Sequence, residues 1–497
     1  MDRVVAAKDS KLFPDLIPNW IDGKEVAAKS GATFPKLNPS DGRQLCTVAR
    51  STAPDVEAAV SAARCAQVSW AALPPVRRGE ILHAVANAME QRIDALAAVV
   101  ALETGKPRGG AKGEVQGAIA LARFMAGEGQ RMYGRTTTSG TANKWAMTIR
   151  QPLGVAGLIV AANTPIANVA WKVFPALICG NAAVLKAAED TPVTAWLFGA
   201  IAFEAGLPGG VLSIVQGLGV EAGVPLVDNA QVAVVSFTGS TRVGRQIGVA
   251  TAKRMARVSL ELGGKNPFVV CDDADLQNAA KWAVQSAFSN AGQRCASGSR
   301  LLVFDAVYEE FREILLAQTK ALKVGSSDGD DFGPVINERQ LTNILGAIEK
   351  SKAEGATVLT GGHRLTDEGH KGGFFIAPTL IEDAHPDAEL SVTELFGPVA
   401  SLYRVRDFAE AVEMANNSPY GLTACIHTRS VDRAMEFVRR AESGVVVVNA
   451  GTFGSEPHMP FGGVKQSGNG SREPGTEALD IYSNLKDVYL NTDPSAL

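Results

Sequence analysis

Cys295 stands in Ser289-Asn-Ala-Gly-Gln-Arg-Cys-Ala-Ser297, a stretch of small residues that carries one thiol and one cation. Cysteine attacks electrophiles as its thiolate, and a neighbouring guanidinium such as Arg294 favours that form. Gly292, Ala291 and Ala296 would leave a ligand room to reach the sulfur. Cys295 is therefore the candidate nucleophile, weighed against the plainer role of a small buried hydrophobe that most free cysteines fill.

Two other groups could complete such a site. Asn163, in Asn163-Thr164-Pro165, follows the apolar run 155–162, where Thr164 can cap a helix and Pro165 suits its first position. An amide there serves a turn or, facing a reaction centre, donates to an oxyanion. Glu261 ends another run, in Glu261-Leu-Gly-Gly-Lys-Asn-Pro267, and a carboxylate beside two glycines could act as a general base in a closely approachable segment. A thiol, an amide and a carboxylate in separate loops are what nucleophilic catalysis followed by hydrolysis requires.

Further residues are of the types that hold a dinucleotide. Glu189 follows the run that ends at Lys186; a carboxylate at a strand end accepts from both hydroxyls of a ribose diol and repels a 2′-phosphate, although it can equally complement a helix N-terminus. In Phe237-Thr-Gly239-Ser240-Thr-Arg-Val-Gly244 a strand-to-helix turn offers a glycine and hydroxyls to a pyrophosphate, or is an ordinary tight turn. Gly217-Leu-Gly219-Val-Glu-Ala-Gly223 also follows a strand, but its last interval is one residue too long for the dinucleotide fingerprint.

The elements that must position these groups are read from periodicity. A chain of 497 residues exceeds one ordinary core, so two or three domains are expected. Helices are predicted over 54–70 and 76–102, the second ended by Gly105 and Pro107. From Val155, short apolar strands at 155–162, 182–186, 211–215, 232–237 and 257–262 alternate with helices, and a second alternating region runs from Pro267 to about Val448. The fold class is thus α/β, with two Rossmann-like lobes whose ligands should lie at the strands' carboxyl ends. Between Gln130 and Arg150 the threonines and Trp145 suggest an exposed β arm that must pair to escape edge-to-edge aggregation, with a partner subunit as the natural candidate; this arm and the strand-like tail Leu485–Leu490 are expected to pair near a subunit interface in a homodimer or homotetramer.

Composition narrows the partners. With 46% hydrophobic residues, 20% charged residues and a net charge of −4, neither disorder nor a nucleic-acid footprint is indicated, and a small-molecule substrate fits better. The six cysteines form no C-x-x-C pair, so a reducing compartment without disulfides is expected. Met1–Trp20 shows no apolar run of signal-peptide or membrane length; a cytoplasmic protein with no membrane partner is expected. The histidines follow no metal-binding spacing, and no metal is expected.

Taken in order, Asn163, Lys186 with Glu189, Phe237-Thr-Gly-Ser240, Glu261-Leu-Gly-Gly-Lys265, Gly292-Gln-Arg-Cys295, Glu394-Leu-Phe-Gly-Pro398 and Pro460-Phe-Gly-Gly463 resemble the aldehyde dehydrogenase superfamily over nearly the whole chain. The resemblance implies that Cys295 attacks an aldehyde carbon, that the Asn163 amide and the Cys295 N–H hold the oxyanion, and that hydride passes to NAD. It implies that Glu261 activates the water that hydrolyses the thioester, with Lys172 and Glu473 relaying protons. Lys186 and Glu189 correspond to adenosine-ribose contacts and Ser240 to the pyrophosphate region. Glu394 and Phe396 correspond to the nicotinamide-side ribose grip, and Phe237, Gly239, Gly244, Leu262 and Gly263 complete the cofactor wall. The implied division is 1–129 with 151–262 for NAD, 263–476 for catalysis, and 130–150 with 477–497 as an oligomerisation arm.

Two departures stand out. Ala161-Ala162 replaces the family's frequent Pro-Trp before the oxyanion residue, and Ser471 looks inserted before Arg472-Glu473. Thr164 and Asn168, four apart on one helix face, are expected to give the substrate pocket a polar lining, with Phe453 in its wall and Arg294 and His458 as donors. That favours a short polar or carboxylated semialdehyde over an aromatic aldehyde. Two different classes remain: a catalytically idle relative that binds without turnover, and a cysteine hydrolase, which would leave Glu189 without a purpose.

Overall fold

The computed structural model describes residues 12–496, so part of the N-terminal stretch read for a signal segment lies outside the described residues. Among the described residues, no helix is long and apolar enough to cross a membrane.

Two seven-stranded sheets dominate. The first runs in the order Arg257–Glu261, Val232–Thr238, Val155–Ile159, Ala182–Lys186, Leu212–Val215, Asn19–Ile21 and Lys24–Val26. Its first five strands are parallel, and a hairpin closes the edge antiparallel. Strands such as Val-Ala-Gly-Leu-Ile are buried along their whole length because helices cover both faces. Val155–Ile159 starts the series and lies between the fourth strand and the second, so the winding reverses beside it. The chain leaving its carboxyl end therefore enters a crevice. The strand is shorter than the predicted 155–162, and residues 160–164 form the turn into the helix Pro165–Ile178.

The second sheet runs Thr357–Thr360, Thr379–Glu382, Val399–Val405, Gly298–Phe304, Asn266–Val270, Thr423–His427 and Val445–Val448, parallel except for its first edge strand. It has its own core around Phe268, Phe288, Phe311 and Phe437, separate from the core that Trp70, Phe174 and Phe198 build against the first sheet.

Two expectations change. The predicted helix 76–102 is broken at Arg92, whose dihedrals leave the helical region, into Pro75–Gln91 and Ile93–Thr104. The apolar stripe continues across the break, which is why periodicity alone reads one helix. The arm strand Lys144–Pro152 pairs antiparallel with the chain's own tail, Ser483–Asn491, over its full length, and with the short strand Thr136–Thr137 on its other edge. The arm's unsatisfied backbone thus finds a partner within the same chain.

Candidate active site

The first sheet presents its carboxyl ends to the crevice, delivering Asn163, Thr238–Ser240 and Glu261. The second sheet does the opposite: Cys295 lies just before Gly298–Phe304, so the candidate nucleophile's loop sits at an amino end, contrary to the expectation for both lobes. Asn266, at the start of the adjacent strand, ties this loop down by donating to the carbonyls of Cys295 and Ser297, both at 2.8 Å.

The loop itself is bent left-handed. Asn290, Ala291 and Gly292 have φ of 56°, 55° and 65°, a conformation that costs a residue with a Cβ about 1–2 kcal/mol. Gly292 is required by packing: a Cβ there would lie 2.1 Å from the Gly397 carbonyl oxygen. Its smallness, read as access for a ligand, serves contact with the backbone, and Ala291 is buried in the core. Gln293 holds the turn from both ends. Its side chain donates to the Pro334 carbonyl and accepts from Ile336 N–H, while its own carbonyl accepts from Asn163 and Asn290.

Two cavities meet at Cys295. One, of about 600 Å³, is lined by Asn163, Thr164, Trp171, Arg294, Phe453 and Phe461 and by one face of the helix Arg108–Gly127. The other, of about 340 Å³, is lined by Glu261, Leu262, Gly263, Gly239, Ser240, Glu394 and Phe396. Both volumes are in the range of small-molecule sites.

Burial pushes the Cys295 thiol up to about 12, with the charges of Glu394 and Glu261 adding to it. The Ala296 N–H and the Arg294 cation act the other way and are outweighed, so the expectation that Arg294 makes a resting thiolate is corrected. The Arg294 guanidinium instead lies 5.0 Å from the centre of the Phe453 ring, and its Nε has no hydrogen-bond partner. Glu261 is 4% exposed and neither of its oxygens is hydrogen-bonded. Desolvation, and then the charge of Glu473, hold its pKa well above the usual carboxylate range, against the opposing influence of Lys172 and Arg472.

Behind Glu261, Lys172 Nζ donates to Glu473 Oε2 at 2.8 Å and to Ser236 Oγ at 2.7 Å. Tyr482 donates to Glu473 Oε1 at 2.9 Å, so the pair lies fully buried in a hydrogen-bonded network. The inserted-looking Ser471 bonds to Ser259 and does not prevent Glu473 from reaching Lys172. Ser236 and Tyr482 carry no motif and were not singled out from the sequence.

Among the residues expected to hold the cofactor, Lys186 Nζ and the Gly219 N–H both bond Glu189 Oε2, at 3.2 and 3.1 Å, leaving this half-exposed carboxylate acceptor capacity at a strand end. Ser240 caps the helix Thr241–Ala252 through Val243 N–H. Gly239 packs on the Phe237 ring and Gly244 on Leu262, where a Cβ would stand 2.4 Å from the neighbouring side chain in each case. Glu394 accepts from Gly264 N–H at 3.1 Å, and burial raises its pKa to about 7. Gly263 packs beside it, and a Cβ there would stand 2.1 Å from the Glu394 carboxylate and push that side chain aside. The set supplies diol acceptors and a capped helix N-terminus, the donors and acceptors a dinucleotide needs.

Two expected pocket residues lie elsewhere. His458 is exposed outside the cavity wall, packing edge-on against Phe124 beside Glu456, because its loop turns the ring outward. Asn168 lines the 340 Å³ cavity and not the 600 Å³ one, and its amide is already engaged by Ala161, Asn163 and Thr164. Lys106, between the Gly105 and Pro107 that end a helix, is buried on Glu114 at 2.7 Å and donates to the Asn163 carbonyl at 2.8 Å. Glu114 in turn accepts from the N–H groups of Ile166 and Ala167, anchoring the helix that follows Asn163.

The chain is similar to known proteins over almost its full length. It is 40% identical over 475 residues to the alpha-ketoglutaric semialdehyde dehydrogenase of Bacillus subtilis, covering 95% of this chain and 97% of that one. Among solved structures, betaine aldehyde dehydrogenase of Staphylococcus aureus in complex with NAD+ superposes with a TM-score of 0.94 at 32% identity, covering 96% of this chain and 95% of that one. An E. coli NADP dependent enzyme gives 0.93 at 37% identity, over 97% and 99% of the two chains. The model of the aldehyde dehydrogenase family matches residues 26–488. With its thiol at the meeting point of two cavities and this match across the fold, the chain belongs to the aldehyde dehydrogenase family.

Proposed function

We propose that the protein oxidises a short polar or carboxylated aldehyde to the acid with NAD. The observation that carries this reading is the meeting of the two cavities at Cys295, one suited to an aldehyde and the other lined by the residues proposed to hold a dinucleotide. In this reading Cys295 Sγ bonds to the aldehyde carbon as the thiol proton passes by way of the Glu261 carboxylate to the buried Lys172–Glu473 pair, and the C=O electron pair moves onto the aldehyde oxygen. The Asn163 amide and the Cys295 N–H donate to the oxygen as it gains charge. NAD, when bound, supplies the acceptor for the hydride that leaves this carbon. Glu261 then takes a proton from water as its oxygen attacks the thioester, the C–S bond breaks and the acid departs. The buried Lys172–Glu473 pair is the exit for that proton.

Lys186 and Glu189 would hold the adenosine ribose, Gly239 and Ser240 the pyrophosphate, and Glu394 with Phe396 the nicotinamide ribose. Leu262 and Gly263 would floor the nicotinamide end. The Arg294 cation lining the first cavity, whose Nε has no hydrogen-bond partner, favours a substrate with a carboxylate at its far end, as does similarity to a semialdehyde dehydrogenase. A second reading, a cationic aldehyde, is favoured by Asp328, Asp330, Asp331 and Glu456, which give the same cavity an acidic rim.

The test is NADH formation across anionic, neutral and cationic aldehydes. Succinic or 2-oxoglutaric semialdehyde should have a higher kcat/KM than hexanal, benzaldehyde or betaine aldehyde; the reverse order sinks the carboxylate reading. Cys295→Ala should abolish turnover while NAD still binds, and Glu261→Gln should release one equivalent of NADH as a burst and then stall. NAD-independent ester cleavage with no aldehyde oxidation would favour the hydrolase reading, and absence of any turnover the idle one.

A further inference from the structure

Asn168 lies on the second turn of the helix Pro165–Ile178 and is 6% exposed. Its Nδ2 stands 3.3 Å from Ala161 O, 3.1 Å from Thr164 Oγ1 and 3.3 Å from Asn163 Oδ1, three acceptors that share its two N–H bonds. Asn163 Nδ2 in turn donates to the Gln293 carbonyl at 2.9 Å. The chain of contacts thus runs from one backbone carbonyl, Ala161, through two side-chain amides to another, Gln293.

Carbonyl oxygens only accept, so they dictate which way both amides face. Ala161 O requires nitrogen from Asn168, and Gln293 O requires nitrogen from Asn163. The Asn163 oxygen must then meet the Asn168 nitrogen, as it does. An amide nitrogen carries two N–H bonds, and the Gln293 carbonyl takes one of them. The other remains for the cavity side, where Asn163 and Cys295 line the same wall. Were Asn163 to flip, its oxygen would face Gln293 O and a lone pair would be offered to any anion forming at Cys295.

We propose that Asn168 is a positioning residue: by donating to Asn163 Oδ1 it locks the Asn163 amide with nitrogen toward the reacting centre. The inference rests on the reading of Asn163 as the oxyanion donor. It replaces contact with the substrate as the role of Asn168 and makes a different prediction. A residue that touched the aldehyde would discriminate between aldehydes when changed, whereas one acting through Asn163 slows them all by the same factor.

The test measures the first-turnover rate of NADH formation with an anionic, a neutral and a cationic aldehyde. Variants are Asn163→Ala, Asn168→Asp, Asn168→Leu and the doubles with Asn163→Ala, with NAD affinity and the thermal midpoint recorded for each. Asn163→Ala should lose about 10²–10³-fold, the usual effect of removing one oxyanion donor. Asn168→Asp keeps the size of the side chain but replaces the donor with an acceptor that favours the flipped Asn163. It should lose at least about ten-fold equally for all three aldehydes, with KM and NAD affinity within about two-fold, and lose nothing further in the Asn163→Ala background. Asn168→Leu removes the donor without adding charge, so it carries the same test should the aspartate variant not fold.

A crippled Asn163→Ala with an unimpaired Asn168→Asp or Asn168→Leu would overturn this inference and leave the oxyanion reading standing. So would losses that simply add in the double variants, or that differ between aldehydes. A fully active Asn163→Ala would overturn both.

Discussion

Replacing Gly113 and Gly117 together by alanine should make the protein more stable and less tolerant of wide aldehydes. Both glycines lie inside the helix Arg108–Gly127, on the face that lines the 600 Å³ cavity, and neither has a positive φ. A Cβ at either position meets nothing within 4 Å, so no packing contact demands glycine there. Glycine in a helix interior is worse than alanine by about 0.8–1.0 kcal/mol, so the double variant should gain about 2 kcal/mol in helix propensity alone. The two methyl groups would stand in the tunnel. One methyl's worth of misfit in a pocket changes kcat/KM by roughly ten-fold or more. The assay pairs urea denaturation with kcat/KM for acetaldehyde and for a branched or aromatic aldehyde. The expected result is a higher denaturation midpoint, an unchanged acetaldehyde value and a wide-aldehyde value about ten-fold lower. A stabilised variant that still accepts the wide aldehyde would refute the idea that these glycines set the tunnel's width. A variant with no gain in stability would refute the propensity argument.

Alkylation of Cys295 by iodoacetamide in the cofactor-free protein, followed by peptide mapping, should still accelerate at pH 10, because burial holds the thiol near 12 and only the thiolate reacts. Glu394→Gln removes a negative charge that raises this pKa and should shift the profile to lower pH; a plateau near pH 8 in the native protein would contradict the first statement, and an unmoved profile in the variant the second. NAD should be preferred to NADP, with Glu189→Gln narrowing the preference, and equal or better efficiency with NADP would overturn the role given to Glu189. The arm should lie in a homo-oligomer interface. Trp145 opposite Leu490 and Met147 opposite Val488 put apolar side chains on one face, with Trp145 56% and Leu490 50% exposed. Light scattering at micromolar concentration should therefore give a dimer or tetramer, which Trp145→Glu with Leu490→Lys should weaken, and a monomeric native protein would refute it.

What was legible in the sequence follows from what is local. Buried parallel strands announce themselves as continuous apolar runs, and a chemical residue at the end of such a run can be placed near a crevice before any coordinates are known. This locates Asn163 and Glu261, and the small-residue stretch locates Cys295. Contacts made across the chain leave no such trace. Glu114 anchors a helix fifty residues further on, and Ser236 meets Glu473 from 237 residues away. The helical spacing of Thr164 and Asn168 correctly puts them side by side, but it does not say that their polar atoms satisfy each other and Asn163 rather than a ligand. Arg294 is beside Cys295 in sequence, yet its effect on the thiol is smaller than that of burial, a property of the folded state alone.

The left-handed turn before Cys295 bears on how the protein becomes active. Its conformation is enforced by Asn163, Pro334, Ile336 and Gly397, and the carbonyls just beyond it are held by Asn266 and Thr452. These anchors span nearly three hundred residues of chain. Contacts between such distant segments carry the largest loop-closure entropy and form late. Cys295 therefore acquires its geometry only when both sheets have folded and met, and during refolding the return of activity should trail the return of helical circular dichroism. A chain still incomplete in either half has the cysteine but not the turn that aims it.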